Sequence, residues 1–101
     1  MLQEIRIYTP KPGKAEALRE RFLTKTLPIF KRLGIEVTGV YGATDGSDTL
    51  WYMLRYPDEA TRTKLWDSFG RNAEWASVKA ASETDGPLLE SQKVVGLKPL
   101  N

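Results

Sequence analysis

The segment Asp48-Thr49-Leu50-Trp51-Tyr52-Met53-Leu54-Arg55-Tyr56 constrains this chain more than any other. Side chains alternate across a strand, so Leu50, Tyr52, Leu54 and Tyr56 point one way and Trp51 and Met53 the other. A strand that is apolar on both faces must be covered on both faces. A chain of 101 residues carries helices enough for one face only. The second face therefore calls for a second copy, and a homodimer is expected. The length holds one domain, residues 1–101, and a domain this small gains from the extra burial that dimerisation brings.

The flanking segments supply the other elements. Leu2 to Thr9 alternates, with Ile5 and Ile7 on one face and Glu4, Arg6 and Tyr8 on the other, which reads as a strand. Pro10-Lys11-Pro12-Gly13 ends it. From Lys14 a helical pattern places Ala15, Leu18, Phe22, Ile29 and Leu33 on one stripe and Leu23, Leu27 and Phe30 on an adjoining one. Pro28 is expected to bend or split this helix and Gly34 to stop it. Ile35 to Thr44 reads as a second strand, with Val37, Gly39 and Tyr41 on one face and Val40 on the other; Asp45-Gly46 then marks a turn. Leu50 to Tyr56 is the third strand. Asp58 can cap a helix whose inner side carries Ala60, Leu65, Trp66 and Phe69. A break follows at Gly70 to Asn72. Asn72 can cap a further short helix with Trp75 and Val78, which Asp85-Gly86-Pro87 ends. Ser91 to Leu97 is the fourth strand.

The resulting order is strand, helix, strand, strand, helix, strand. It predicts an α+β, ferredoxin-like βαββαβ fold, an antiparallel sheet with helices on one face. Whichever row of the third strand stays uncovered would be an apolar patch of the kind that marks an interface. Two such sheets packed face to face make a dimeric α/β barrel.

Composition narrows the chemistry. The 15 basic and 13 acidic residues are intermixed along the chain and leave a net charge of +2, so no basic patch is expected and neither nucleic acid nor membrane is an expected partner. There are no cysteines and no histidines. Thiol nucleophiles, disulfides, thiolate or imidazole metal sites and Ser-His-Asp triads are therefore excluded. Carboxylates show no metal-binding cluster, so no metal is expected. Pro10 to Lys14 lacks the glycine spacing of a phosphate loop, and no cofactor is expected. The N-terminus does not read as a signal peptide, and no apolar run nears the roughly 20 residues of a membrane helix. A cytoplasmic protein is expected. Thr49 to Tyr56 lacks the aromatic signature that an RNA-recognition domain carries on its third strand.

The ordered set of short matches resembles the NIPSNAP family of dimeric α/β-barrel proteins. It comprises Glu4-Ile5-Arg6-Ile7-Tyr8-Thr9, Lys11-Pro12-Gly13-Lys14, Leu27-Pro28-Ile29, Gly39-Val40-Tyr41, the strand ending in Tyr56, Arg62, Glu74-Trp75, and Lys98-Pro99. These span nearly the whole chain. The resemblance implies the fold and the dimer, and it implies no reaction. Two departures stand out. Tyr52 and Leu54 occupy positions where the family often has histidine and tryptophan, and Asn72-Ala73 replaces its usual Asp-Pro.

Several residues carry two readings. Glu4, Arg6 and Tyr8 read either as the polar wall of a pocket, with Arg6 holding a carboxylate or enolate and Glu4 orienting it, or as an internal ion pair with a satisfied hydroxyl. Tyr52 reads as a donor to a developing oxyanion or as ordinary strand material. Trp51, Trp66 and Trp75 read as the lining of a hydrophobic cavity or as core. Arg62 reads as a ligand-anion contact or as a surface ion pair with Asp58 or Asp67. The catalytic candidates are thus Glu4, Arg6 and Tyr52, and the ligand-binding candidates Tyr8, Trp51, Arg62, Trp66 and Trp75. The expected function is a small homodimer binding a small apolar or aromatic organic molecule in a cleft. As an enzyme it would be a cofactor-independent oxygenase or isomerase, by analogy with other dimeric α/β-barrel families such as the antibiotic-biosynthesis monooxygenases. The alternative is a non-catalytic structural or protein-interaction module.

Overall fold

Alternation and chain breakers resolve into four strands and one helical layer. A computed structural model describes all 101 residues. The strands are β1 (Leu2–Pro10), β2 (Glu36–Gly42), β3 (Leu50–Tyr56) and β4 (Leu89–Leu97). The helices are α1 (Ala15–Arg21), α2 (Leu27–Leu33), α3 (Glu59–Gly70) and α4 (Ala73–Ser82). A π-helical segment, Phe22–Thr26, joins α1 to α2. The sheet runs β2-β3-β1-β4 with every pairing antiparallel, the ferredoxin-like arrangement expected from the sequence.

Pro28 splits the first helix as expected, and the structure shows how. Proline has no N–H to offer the carbonyl four residues back, and its ring crowds that carbonyl. The chain widens just before it, and the Leu27 N–H bonds back five residues to the Phe22 carbonyl. Of the second apolar stripe, Phe30 is buried and Leu27 half-buried, while Leu23, inside the widened turn, lies 51% exposed. Gly34 ends α2 with φ +86°. Asp58 caps α3 by accepting from the Thr61 N–H at 2.7 Å, and Asn72 caps α4 by accepting from the Trp75 N–H at 2.8 Å. Phe69 is the buried residue of α3, with Leu65 and Trp66 half-buried. Ala60, expected on the inner side, faces solvent. At about 100° per residue, its distance of nine residues from Phe69 sets the two on opposite sides of the helix.

Register decides which face of the sheet lies under the helices. Glu4 stands opposite Leu54, Arg6 opposite Tyr52 and Tyr8 opposite Leu50, and residues opposite one another share a face. Leu50, Tyr52, Leu54 and Tyr56 are all buried under the helical layer, so the polar row of β1 faces the helices with them, Glu4 buried and Arg6 and Tyr8 half-buried. Ile5, Ile7, Trp51, Met53 and Val95 take the open face. A register shift between Val37 and Gly39 puts Val37 opposite Leu54 and Val40 opposite Tyr52. Val37 therefore joins Val40 under the helices, which corrects its expected grouping with Gly39 and Tyr41. One extra residue in a strand reverses the alternation beyond it.

The core joins Leu18, Phe22, Ile29 and Phe30 to the β3 row. Each fully buried large apolar side chain is worth roughly 1.5–3 kcal/mol against exposure. No helix is long and apolar enough to cross a membrane.

Candidate functional site

Glu4 carries a charge into the interior, and three donors meet it there. Its side chain is 2% exposed. Arg6, two residues along the same face, donates Nε to Oε1 at 2.8 Å. The Tyr56 hydroxyl from β3 donates to the same oxygen at 2.9 Å, and Arg62 from α3 donates Nε to Oε2 at 2.5 Å. Trp66, one turn beyond Arg62, donates its indole N–H to the Tyr56 oxygen at 2.6 Å. Burial alone would raise the Glu4 pKa, but the hydrogen bonds from Arg6 and Arg62 outweigh it and hold the carboxyl below the usual range. Burial pushes the Tyr56 phenol up. Glu4 is thus a buried carboxylate held by three donors.

Arg6 faces two ways. Its Nε is committed to Glu4, its guanidinium lies 3.7 Å from the centre of the Trp66 ring, and its Nη amines have no carboxylate partner. They border a cleft of about 450 Å³ between β1, the α1–π segment, the α3–α4 pair and the start of β4. Tyr8, Phe22, Trp66, Phe69 and Trp75 bring aromatic surface to it, and Arg21, Thr26, Lys79, Glu83 and Gln92 bring polar groups. The rings touch in series: Phe22 and Phe30 are 6.0 Å apart, Phe30 and Phe69 4.8 Å, and Phe69 stacks on Trp75 at 4.9 Å.

Two further contacts frame the cleft. The Tyr8 hydroxyl, at its edge, lies 2.6 Å from the hydroxyl of Tyr52, which is fully buried. Burial raises both phenol pKa values, that of Tyr52 well above the ordinary one. At neutral pH the pair consists of two protonated phenols, able to donate and unsuited to act as a base. On the far wall Arg21 donates to Glu83 at 2.8 Å and to the Ser82 hydroxyl at 3.1 Å, 5.1 Å from the Trp75 ring centre.

Of the candidates read from the sequence, Arg6, Tyr8, Trp66 and Trp75 share the cleft. Glu4 and Tyr52 lie one layer behind it, each reaching it through a neighbour. Arg62 lies outside the cleft. It pairs with Glu4 and Glu59 instead of Asp58 or Asp67; Asp58 is occupied capping α3 and Asp67 pairs with Arg71. Trp51 sits on the opposite face of the sheet, beside Ile5, Tyr41 and Met53. Sequence reading missed Arg21, Thr26, Lys79 and Glu83. Arg21 did carry a signal, because it falls three residues after Leu18 on the buried stripe, a position where a charge needs a partner. That partner, Glu83, lies 62 residues away, and nothing local announces it. No group of three or more acidic side chains converges as a metal site would require.

Residues 3–101 match the NIPSNAP family model. None of the curated proteins matches significantly. Among solved structures, the chain is similar to an uncharacterised NIPSNAP domain protein from Burkholderia xenovorans, at TM-score 0.83 and 21% identity, covering 98% of this chain and 94% of that one. A NIPSNAP family protein from Agrobacterium tumefaciens is similar at TM-score 0.85 and 18% identity, over 99% and 93% of the two chains. A candidate antibiotic biosynthesis monooxygenase from Nitrosomonas europaea is similar at TM-score 0.69 and 16% identity over the full length of both. At these identities the likeness is one of fold.

Proposed function

This chain belongs to the NIPSNAP family, and we propose that it works in the cytoplasm as a small homodimer whose cleft takes up a small apolar or aromatic organic molecule. The observation that carries this reading is the cleft of about 450 Å³ walled by Tyr8, Phe22, Trp66 and Trp75, with Arg6 at its floor. Ligand sites are typically concave, mostly apolar and equipped with a few placed polar groups. Support for the dimer comes from the open sheet face, where Ile5, Ile7, Trp51, Met53 and Val95 form an apolar surface that a second sheet would cover as a dimeric α/β barrel.

A catalytic role, as a cofactor-independent oxygenase or isomerase, would rest on stabilising an oxyanion. Arg6 and the Tyr8 phenol are the donors suited to it. Glu4 is poorly suited to be the base of such a reaction, because three donors stabilise its charged form and it lies behind the cleft. Tyr52 contributes by orienting Tyr8.

The test is thermal denaturation in the presence of a library of small aromatic and apolar metabolites. A ligand at a hundredfold excess over its Kd should add about 2.7 kcal/mol of stability. A library that leaves the transition unmoved contradicts the reading and favours a non-catalytic interaction module, in which the open sheet face is the working surface.

A further inference from the structure

Building on the reading of the cleft as a ligand site, we infer that its ligand is a monoanion: an aromatic carboxylate whose carboxyl group is received by Arg6 and whose ring lies among Trp66, Phe69 and Trp75. Charge bookkeeping around the cleft gives the first reason. Arg6, Arg21 and Lys79 are three cations on its lining; Glu83 on the lining and Glu4 behind Arg6 are two carboxylates. One positive charge is left over.

The second reason is the geometry of Arg6. A guanidinium can engage two partners at once through different edges. Glu4 takes the Nε edge at 2.8 Å, and the Trp66 ring covers one plane at 3.7 Å, which together fix the group. The Nη amines are left without a carboxylate where Arg6 borders the cleft. A planar carboxylate is the acceptor that such an amine pair matches. The third reason is what surrounds it. Arg21 on the far wall, held by Glu83 and Ser82, is a second cation on the lining. Tyr8 and Thr26 add hydroxyl-bearing side chains to it. Glu4 is a positioning residue in this scheme: it aims Arg6 and touches no ligand.

The experiment is isothermal titration calorimetry with naphthoate and its neutral isostere naphthamide, on the wild type, on Lys64→Gln, which removes an exposed cation outside the cleft, and on the Glu4→Gln/Arg6→Met double variant. The double variant removes both members of the buried pair and leaves the partly exposed Arg62 its surface partner Glu59, and circular dichroism establishes that it is folded. Wild type should bind naphthoate at least about tenfold more tightly than naphthamide, as a charge-assisted contact in a partly desolvated site implies. In the double variant that preference, read as the ratio of the two affinities, should vanish. Lys64→Gln, which lowers the net charge by one and leaves Arg6 in place, should keep the preference. Equal or better binding of naphthamide by wild type overturns the anionic ligand class and leaves the cleft as a binder of neutral molecules. A preference that survives in the double variant overturns the role of Arg6. Failure of both probes to bind wild type defeats this inference together with the reading beneath it.

Discussion

The hydroxyls of Tyr8 and Tyr52 meet at 2.6 Å across the β1–β3 pairing, one at the edge of the cleft and the other sealed in the core. Their situations are unequal, and so are the expected costs of losing either one. Tyr8→Phe strands the Tyr52 hydroxyl in a place water cannot reach, at a cost of about 1–3 kcal/mol. Tyr52→Phe leaves the Tyr8 hydroxyl free to turn to the cleft, at about 1 kcal/mol or less. Urea denaturation of both single variants and the double variant measures this, with the double loss smaller than the sum of the singles.

The second prediction concerns acid. Hydrogen bonds from Arg6, Arg62 and Tyr56 hold the folded Glu4 pKa below its unfolded value of about 4.3. Between the two values the unfolded chain binds more protons than the folded one. The stabilisation is therefore complete above about pH 4.3 and drains away as the pH falls through the lowered folded value. Glu4→Gln should lose on the order of 3 kcal/mol at neutral pH, because it leaves two guanidiniums without their shared carboxylate. It should also flatten the acid limb of the stability profile, read as the denaturation midpoint against pH.

The third concerns α4, which walls the cleft and has no fully buried residue of its own. Its start depends on the Asn72 side chain accepting from the Trp75 N–H. Asn72→Ala should destabilise the protein by about 1 kcal/mol. It should also raise hydrogen exchange across residues 73–82 more than across β1 and β3.

Much of this fold is legible in the sequence, for local reasons. Asp58 and Asn72 announce caps because a short side chain with an oxygen can take up a free N–H. Pro28 announces a break because it lacks an N–H. The order of elements along the chain follows from the spacing of these signals. What the sequence hides is which face of β1 is inside. Alternation separates Ile5 and Ile7 from Glu4, Arg6 and Tyr8 and leaves open which row lies under the helices; the register with β3 puts the polar row there. Glu4 is stable inside because Tyr56 and Arg62 arrive from 52 and 58 residues away, and no local pattern encodes that meeting. The Val37 reversal has a similar origin in a bulge that alternation cannot reveal. In the site, Arg6, Tyr8, Trp66 and Trp75 were recognisable by type, whereas the Arg21–Glu83 pair on the opposite wall depends wholly on how α1 and α4 pack.

The fourth prediction addresses the open face. Trp51 is 36% exposed there, Tyr41 52% and Leu97 40%, too much apolar surface for a lone chain to keep bare. Sedimentation at micromolar concentration should give a dimer for the wild type. Trp51→Glu should shift it to a monomer while leaving the helix-side contacts of Tyr52 intact. A wild type that sediments as a folded monomer contradicts the barrel.

The ligand site itself is tested most directly by following the three tryptophan indole N–H resonances during titration with an aromatic carboxylate. Trp66 and Trp75 line the cleft and Trp51 lies on the other side of the sheet. The resonances of Trp66 and Trp75 should move together and saturate with a single affinity, while that of Trp51 stays still. Movement of Trp51 alone, or no movement at saturating probe, would contradict a binding site between the sheet and its helices.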